Sequence, residues 1–206
     1  HPDLYWCSLM SPARDFTEGE GIPVGGNMIN NYAGFDNVDA GYWVGSRPIE
    51  WLKETYPNAP VDEVGFLMFD YSVSPALHER SIGSLKAFTE AGFKEENFFM
   101  ADCVSTGLTN QGALDVAGPL VASHPEIKYW LCNGLIDDMA QAAASIFDQQ
   151  GLTETSAICV FGGSALIQQW DGGQQDAFRF FKSKRNRHFR FAFHRKTEEK
   201  ALRGFF

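Results

Sequence analysis

The sequence of 206 residues lacks the patterns that most directly reveal a function. None of its apolar runs approaches the ~20 residues needed to span a bilayer. No basic segment followed by an apolar one stands at its beginning, so we expect any signal peptide to be absent or already removed. The sequence also has no Walker loop, no G-x-G-x-x-G fingerprint and no H-E-x-x-H site. We therefore expect no cofactor and no bound metal.

Cysteine is scarce, and the four cysteines are not spaced like the ligands of a metal site. Cys132 and Cys159 fall inside predicted strands, where a free thiol is usually a small buried apolar residue. The other two are Cys7 and Cys103. An oxidising compartment would allow a disulfide, but the spacing does not require one.

Positive charge is scarce except near the end of the sequence. The net charge is −9, although residues 179–206 carry ten Lys or Arg against Glu198 and Glu199. The rest of the chain is therefore strongly acidic, which argues against nucleic acid as its partner. The basic tail is suited to nucleic acid or an anionic membrane, but it has no recognisable motif. A tail that neutralises the acidic body is the favoured interpretation.

Four apolar runs of strand length occupy the middle of the chain. Each is apolar on both faces and rich in aromatic or β-branched residues, which is typical of strands buried in a parallel sheet. Segments with helical spacing separate them, so the order predicts a right-handed, doubly wound α/β sheet. The four runs are Val64–Asp70, Asn97–Asp102, Lys128–Asn133 and Ser156–Phe161.

Residues typical of helix ends flank the segments between the runs. Ser74, which stands before a proline, predicts an N-cap, and Gly92 predicts the end of the same helix. Asp137 or Asp138 predicts the N-cap of a later helix, which Gly151 closes at its C′ position.

Two further expectations concern helix interiors. A helix that starts near Val38 is expected to be interrupted near Pro48, because an interior proline removes a backbone hydrogen bond. The helix after Ser74 is expected to bury an apolar stripe. That stripe consists of Leu77, Ile82, Leu85 and Phe88.

An ordered series of local motifs resembles the type I periplasmic sugar-binding proteins of bacterial ABC transporters. The resemblance runs from about Gly21 to Trp170. It implies two doubly wound lobes that close on a sugar about a hinge, docking on a membrane permease, and a periplasmic or secreted location. The motifs are Ser84–Phe93, Gly112–Asp115, His124–Leu131 and the turn Gly134–Asp137.

The resemblance also implies a division of the chain into three parts. Residues 1–36 are interpreted as the remnant of a first lobe, with strands expected at Leu4–Met10 and Gly21–Val24. Residues 37–175 are expected to form the α/β second lobe, and residues 176–206 a basic C-terminal extension. A half-cleft left bare in this way would favour self-association of the chain.

Ligands of doubly wound sheets bind at the carboxyl ends of the strands, which places the candidate site in the loops after the four apolar runs. For His78, the alternative is a surface or helix-capping role. For Asp137 and Asp138, the alternative is a helix-capping role. The candidate ligand-binding residues are Asp70, Tyr71, His78, Asn133, Asp137, Gly162, Ser164 and Asn27, with Ser72, Asp102 and Asp138 nearby.

The sugar contacts implied by the resemblance are only partly kept. Family members use an arginine early in the helix after the first strand of this lobe; His78 stands there, with Arg80 two residues later. Ile136 replaces an asparagine, and Gly162 and Ala165 replace an asparagine and an aspartate. Each loss removes about 0.5–1.5 kcal/mol. The site is therefore degenerate relative to the arabinose binders of this family, and arabinose is not expected as the ligand.

Non-catalytic binding of a carbohydrate or another small polar ligand is the leading hypothesis. A hydrolase of glycosidic or ester bonds is the alternative, with Asp70 and Asp102 as a carboxylate pair or Ser164, His78 and Asp102 as a triad. The segment from Phe161 to Leu166 departs from the G-x-S-x-G elbow, because its final glycine is missing. A third hypothesis is a structural or regulatory remnant, such as a sensor domain, that binds no ligand.

Overall fold

A computed structural model describes residues 8–9, 32–33 and 36–162. Two short strands, β1 and β2, pair in parallel, and the longer part alternates helix and strand. β1 falls within the predicted strand Leu4–Met10, whereas the predicted strand Gly21–Val24 lies outside the described residues. The elements are β1 (Ser8–Leu9), β2 (Tyr32–Ala33), α1 (Asn37–Thr55), β3 (Val64–Asp70), α2 (Pro75–Glu90), β4 (Phe98–Asp102), α3 (Asn110–Ala122), β5 (Tyr129–Gly134), α4 (Asp137–Gln149) and β6 (Ser156–Val160).

The four longer strands form one parallel sheet in the order β4-β3-β5-β6. The predicted α/β class and the four predicted strands are therefore confirmed, with boundaries shifted by at most one residue. From β3 the chain adds β4 on one side of the sheet, and then β5 and β6 on the other side, so the direction in which strands are added reverses between β3 and β5. A reversal of this kind opens a crevice at the carboxyl ends of the strands in doubly wound sheets.

Alternation of side chains along the strands assigns the helices to the two faces of the sheet. Phe66 of β3 packs against Phe88 of α2 at a ring separation of 5.5 Å. Its register partner Leu131 points the same way, so the adjacent Trp130 points to the opposite face, where it packs against Phe147 of α4. α1 and α2 therefore cover one face, and α3 and α4 cover the other.

The apolar stripe predicted for α2 is wrong. Ile82 is 47% exposed, Leu77 and Leu85 are half-buried, and Phe88 alone of the four is fully buried. The buried face of α2 instead consists largely of small or polar residues, namely Ala76, Arg80, Ser81, Gly83, Ser84 and Ala87. Sequence periodicity misses this face because it counts large apolar residues, whereas this contact needs small ones.

The reason is a close approach of the α1 and α2 backbones. A Cβ atom placed on Gly83 would lie 2.0 Å from the backbone oxygen of Val38. A Cβ atom on Gly41 would likewise lie 2.1 Å from the backbone oxygen of Arg80. Real atoms cannot approach so closely, so each helix needs glycine where it crosses the other.

The interruption predicted near Pro48 is also wrong, because α1 runs without a break from Asn37 to Thr55. A proline inside a helix removes one backbone hydrogen bond. Burial of Ile49 and Leu52, which follow it, favours continuation of the helix on the sheet.

The predicted ends of α2 and α4 are largely confirmed. Gly92 and Gly151 follow the two helices with φ values of +93° and +71°, a conformation that favours glycine. The predicted N-cap of α4 is wrong by one or two residues, because Ile136 holds that position without a side-chain cap. Asp137 and Asp138 lie in the first turn instead, where the helix dipole favours negative charge.

Three thiols of the described residues are free, and none forms a disulfide. Cys132 is buried as predicted, whereas Cys159, for which burial was also predicted, is half-buried. Cys103 is buried as well. Burial raises the pKa of Cys132 well above its usual range. Cys7 lies outside the described residues.

Within the described ranges, no helix combines the length and the apolar character that a membrane span requires.

Substitution of Gly83 by alanine tests the close helix contact. We expect Gly83→Ala to destabilise the fold by about 1–3 kcal/mol or more, as overpacking against a backbone atom does. The matched control is Gly118→Ala on α3, where a Cβ atom meets nothing within 4 Å. There the gain in helix propensity, about 0.5–1 kcal/mol, is partly offset because Pro119 follows. Urea unfolding measures both changes, and equal stability of the two variants would contradict the close approach.

Candidate functional site

The candidate site lies where the carboxyl ends of β3 to β6 meet, which we call the strand-end edge. α2, α3 and α4 all begin at this edge, since each follows a strand that ends there. Asn110, at the start of α3, donates to the backbone oxygen of Asp138 at 3.0 Å and so links the first turns of α3 and α4. The edge therefore combines loop side chains with the positive ends of three helices.

A buried carboxylate at the end of β3 anchors a histidine of α2. The side chain of Asp70 is 1% exposed, and its Oδ2 lies 2.8 Å from Nδ1 of His78. The other oxygen, Oδ1, accepts a hydrogen bond from the Ser81 hydroxyl at 2.9 Å. His78 is 40% exposed, so Asp70 serves as its buried support while the ring remains accessible. His78 and Ser81 are three residues apart and share one face of the helix.

A second carboxylate lies at the end of the neighbouring strand, in register with Asp70. Oδ2 of Asp102 accepts from the Ser72 hydroxyl at 2.5 Å, and Oδ1 accepts from the backbone N–H of Val104 at 3.1 Å. Burial alone would raise the pKa of Asp102, but these hydrogen bonds and the nearby His78 outweigh it and lower the pKa. Asp102 is therefore a stable anion close to His78.

Arg80 lies on a different side of α2 from His78. It contacts both the start of α1 and the residue that follows β6, and so links the first and last elements of the α/β unit. Its Nε donates to Oδ1 of Asn37 at 3.1 Å, where α1 begins. Its guanidinium carbon lies 4.4 Å from the ring centroid of Phe161, directly after β6. Both Arg80 and Asn37 are buried. No local sequence pattern indicates the pairing with Asn37, because 43 residues separate the two.

Asn133 does not lie in an open cleft. Its side chain is fully buried, and Nδ2 donates to the Ser84 hydroxyl at 2.9 Å. Ser84 in turn donates to the backbone oxygen of Gly41. The register places Asn133 beside Met68, two residues before Asp70, so α1 and α2 cover it. Its predicted ligand contact is therefore corrected to a structural role between the sheet and these helices.

The remaining predicted residues are distributed unevenly. Tyr71 and Asp137 are half-buried at the strand-end edge, and Gly162 is exposed with a φ of +102°. A Cβ atom on Gly162 would lie 3.5 Å from Oδ1 of Asp137, which places the end of β6 against the start of α4. Ser164 and Asn27 lie outside the described residues.

The geometry does not favour the predicted hydrolytic arrangements. A catalytic carboxylate must reach the substrate, yet Asp70 is buried with both oxygens in contact with protein groups. In the predicted triad, Asp102 was expected to pair with His78. The structure instead pairs Nδ1 of His78 with Asp70. Among residues 36–162 and the two short strands, no group of His, Cys, Asp and Glu could hold a metal.

The fold is that of one lobe of the type I periplasmic binding proteins. An ABC transporter periplasmic solute-binding protein from Actinobacillus succinogenes, solved with bound D-allose, matches with a TM-score of 0.52 and 19% identity. The match covers 84% of this chain and 55% of that protein. A LacI-family transcriptional regulator from Burkholderia phymatum matches with a TM-score of 0.51 and 13% identity, over 70% of this chain and 48% of the regulator.

Sequence similarity points to particular relatives of this fold. The chain is 30% identical over 100 residues to the L-arabinose-binding periplasmic protein of Escherichia coli K12, and 28% identical over 99 residues to its counterpart from Azospirillum brasilense. Each match covers 48% of this chain, and the chain spans less than a third of either relative, 30% and 29%. No protein-family model matches the chain. The resemblance to periplasmic sugar-binding proteins is thus confirmed for the part that these matches cover.

Substitution of Arg80 by lysine tests its role at the ends of the unit. Lysine keeps the charge but loses Nε and the planar group that lies on Phe161. We expect Arg80→Lys to lower the free energy of unfolding by about 1–3 kcal/mol. The control is Arg47→Lys. The Arg47 guanidinium is half-exposed, pairs with exposed Glu50 and lies 5.9 Å from the Trp43 ring centroid, so this variant should change stability by less than about 0.5 kcal/mol. Equal losses in urea unfolding would contradict a special role for Arg80.

Proposed function

We propose that the strand-end edge binds a carbohydrate, or another small polar ligand, without catalysis, in the manner of a solute-binding protein. The observation that carries this proposal is the half-exposed imidazole of His78, which a buried carboxylate holds at that edge. Support comes from the relatives, since both similar curated proteins are named for L-arabinose binding. The allose-bound structure shares the fold.

The exposed groups of the edge suit a polyhydroxylated ligand. His78, Ser72 and Asp102 offer hydrogen-bonding atoms from two neighbouring loops and the first turns of α2. The half-buried ring of Tyr71 offers a surface on which the apolar side of a sugar ring can stack. Asp137 and Gly162 complete the proposed contacts on the β6 side of the edge. Asn27 and Ser164 remain predicted contacts outside the described residues.

The ligand need not be that of the relatives. The arginine expected at the position of His78 only donates hydrogen bonds, whereas a neutral histidine both donates and accepts. Ile136 and Gly162 offer no side-chain hydrogen bond where asparagine is expected. We therefore propose a neutral sugar or sugar derivative other than L-arabinose.

The relatives also suggest the setting in which the ligand is bound. Both are periplasmic proteins by name, and one is an ABC transporter component. We propose a periplasmic or secreted location, closure about a hinge on the ligand, and a membrane permease as partner. The names of the relatives support the location and the transporter, and the two-lobed closure is what the family resemblance implies.

A thermal-shift screen against mono- and disaccharides tests the binding function. A ligand at 100 times its Kd stabilises the fold by about 2.7 kcal/mol, which a shifted midpoint reveals. We expect a few sugars to raise the midpoint, and His78→Ala to reduce that rise. The matched control is His124→Ala, because His124 precedes β5 and lies at the opposite end of the strand.

Chromogenic glycosides and esters are tested on the same sample. Absence of a shift for every sugar contradicts carbohydrate binding. Release of a chromogen that Asp102→Asn abolishes would replace the binding function with the hydrolase.

We also propose that the chain self-associates through the β3–β4 side of the strand-end edge. Three large apolar side chains are exposed there, and exposed apolar groups of this size favour association when they are contiguous. Val73 follows β3 and is 64% exposed, Met100 lies on β4, and Val104 follows β4.

Light scattering after size-exclusion chromatography tests this association. We expect a mass of at least twice the 23.0 kDa of the chain, and a shift toward the monomer for Val73→Asp, because a buried charge opposes association. The control is Val61→Asp, since Val61 is also exposed but precedes β3 at the opposite end of the strand. A wild-type mass of one chain contradicts the proposal.

A further inference from the structure

We propose that Asp70 is a positioning residue that holds His78 as the tautomer protonated on Nδ1. Nε2 is then left as a hydrogen-bond acceptor for a ligand at the strand-end edge. The acceptor role toward a ligand rests on the proposed function, whereas the tautomer is a property of the free protein. Asp70 would in this way decide which hydrogen-bonding partner the site selects.

The contacts of Asp70 carry the first step. A carboxylate accepts hydrogen bonds and donates none. Oδ1 already receives the Ser81 hydroxyl at 2.9 Å, and Oδ2 lies 2.8 Å from Nδ1 of His78. That second contact is a hydrogen bond when the proton is on Nδ1. In the neutral form of His78, which carries one proton, Nε2 is then unprotonated.

Burial makes this arrangement specific. The Asp70 side chain is 1% exposed, so water does not compete for its oxygens, and a lost partner would leave a buried acceptor unsatisfied. A histidine whose second nitrogen is held by a buried carboxylate keeps both its tautomer and its ring orientation. Ser81 fixes the carboxylate from the other side, three residues further along α2.

The consequence is a reversal of hydrogen-bonding polarity relative to the arginine that the resemblance implies at this position. A guanidinium only donates, and so it can bind a ring oxygen or an ether. An unprotonated Nε2 accepts, and so it binds a free hydroxyl that donates. The nearby Asp102 is an acceptor as well. We infer that the site selects a ligand with a free hydroxyl toward His78.

The chain contains an internal comparison. His124 also places Nδ1 2.8 Å from a carboxylate oxygen, that of Glu126. Here, however, the carboxylate is 59% exposed, so water competes for it. The distance is the same in both pairs and the burial differs, so the pair separates the effect of burial from the effect of contact.

Nitrogen-15 NMR of the histidine rings tests the tautomer in the ligand-free protein. Spectra are recorded at a pH where the rings are neutral, and the His78 signals are assigned by their loss in His78→Gln. We expect an unprotonated Nε2 and a protonated Nδ1 for His78. Asp70→Asn should shift this ring toward the tautomer protonated on Nε2 and leave His124 unchanged.

Two outcomes overturn the inference. A wild-type His78 that is protonated on Nε2 overturns it without Asp70→Asn, so the test remains valid if that variant fails to fold. An unchanged His78 spectrum in folded Asp70→Asn does so as well. Ser81→Ala, which removes the second contact of Asp70, should give a smaller shift in the same direction.

A ligand arm separates this inference from the proposed function. Each sugar that raises the midpoint is compared with its mono-O-methyl ethers, because an ether accepts hydrogen bonds but does not donate them. We expect one ether to bind at least about tenfold more weakly to the wild type, and this ratio to fall in His78→Gln. Equal binding of all ethers overturns the acceptor role. No bound sugar at all contradicts the proposed function and leaves the NMR result to decide the tautomer.

Discussion

The close crossing of α1 and α2 is the constraint on which the candidate site depends. Glycines at positions 41 and 83 let the two backbones meet, and side-chain methyl groups there would overlap carbonyl oxygens. This contact fixes where α2 lies over β3 and β4. The position of α2 then brings His78 and Ser81 onto Asp70. A contact between backbones thereby determines which polar atoms meet at the strand-end edge.

The two faces of the sheet are buried by different kinds of side chain. The face under α3 and α4 is closed by apolar side chains such as Trp130, Phe147 and Ala143. The face under α1 and α2 holds all the buried polar side chains of the described residues except Ser156, and most of them bond to one another. Buried polar groups contribute little net stability when they are satisfied and cost much when they are not. Such a face fixes one arrangement of α2 against alternatives that an apolar face would tolerate.

A structural element can be predicted from the sequence when its burial leaves a continuous pattern of apolar residues. β3 was predicted with its exact bounds because seven consecutive buried residues leave a continuous apolar run. The buried face of α2 was predicted wrongly, because its contact with α1 depends on residues about forty positions apart. In the candidate site, Asp70 and His78 were both predicted, but their direct contact was not. Asn133 was misplaced because strand alternation gives the face on which a side chain lies, not the helix that covers it.

The fold by itself does not choose among functions, since a LacI-family regulator shares it with the sugar-binding proteins. The chemistry of the strand-end edge narrows the choice. Three helices begin there, and their dipoles would favour an anionic ligand. The carboxylates of Asp70, Asp102 and Asp137 lie at the same edge, however, and the hydrogen bonds of Asp102 stabilise its charged form. Full carboxylate charges exceed the partial charges of helix ends, so the edge disfavours anions. The neutral, hydroxyl-rich ligand that we propose can donate hydrogen bonds to Asp102 and Asp137 without charge repulsion.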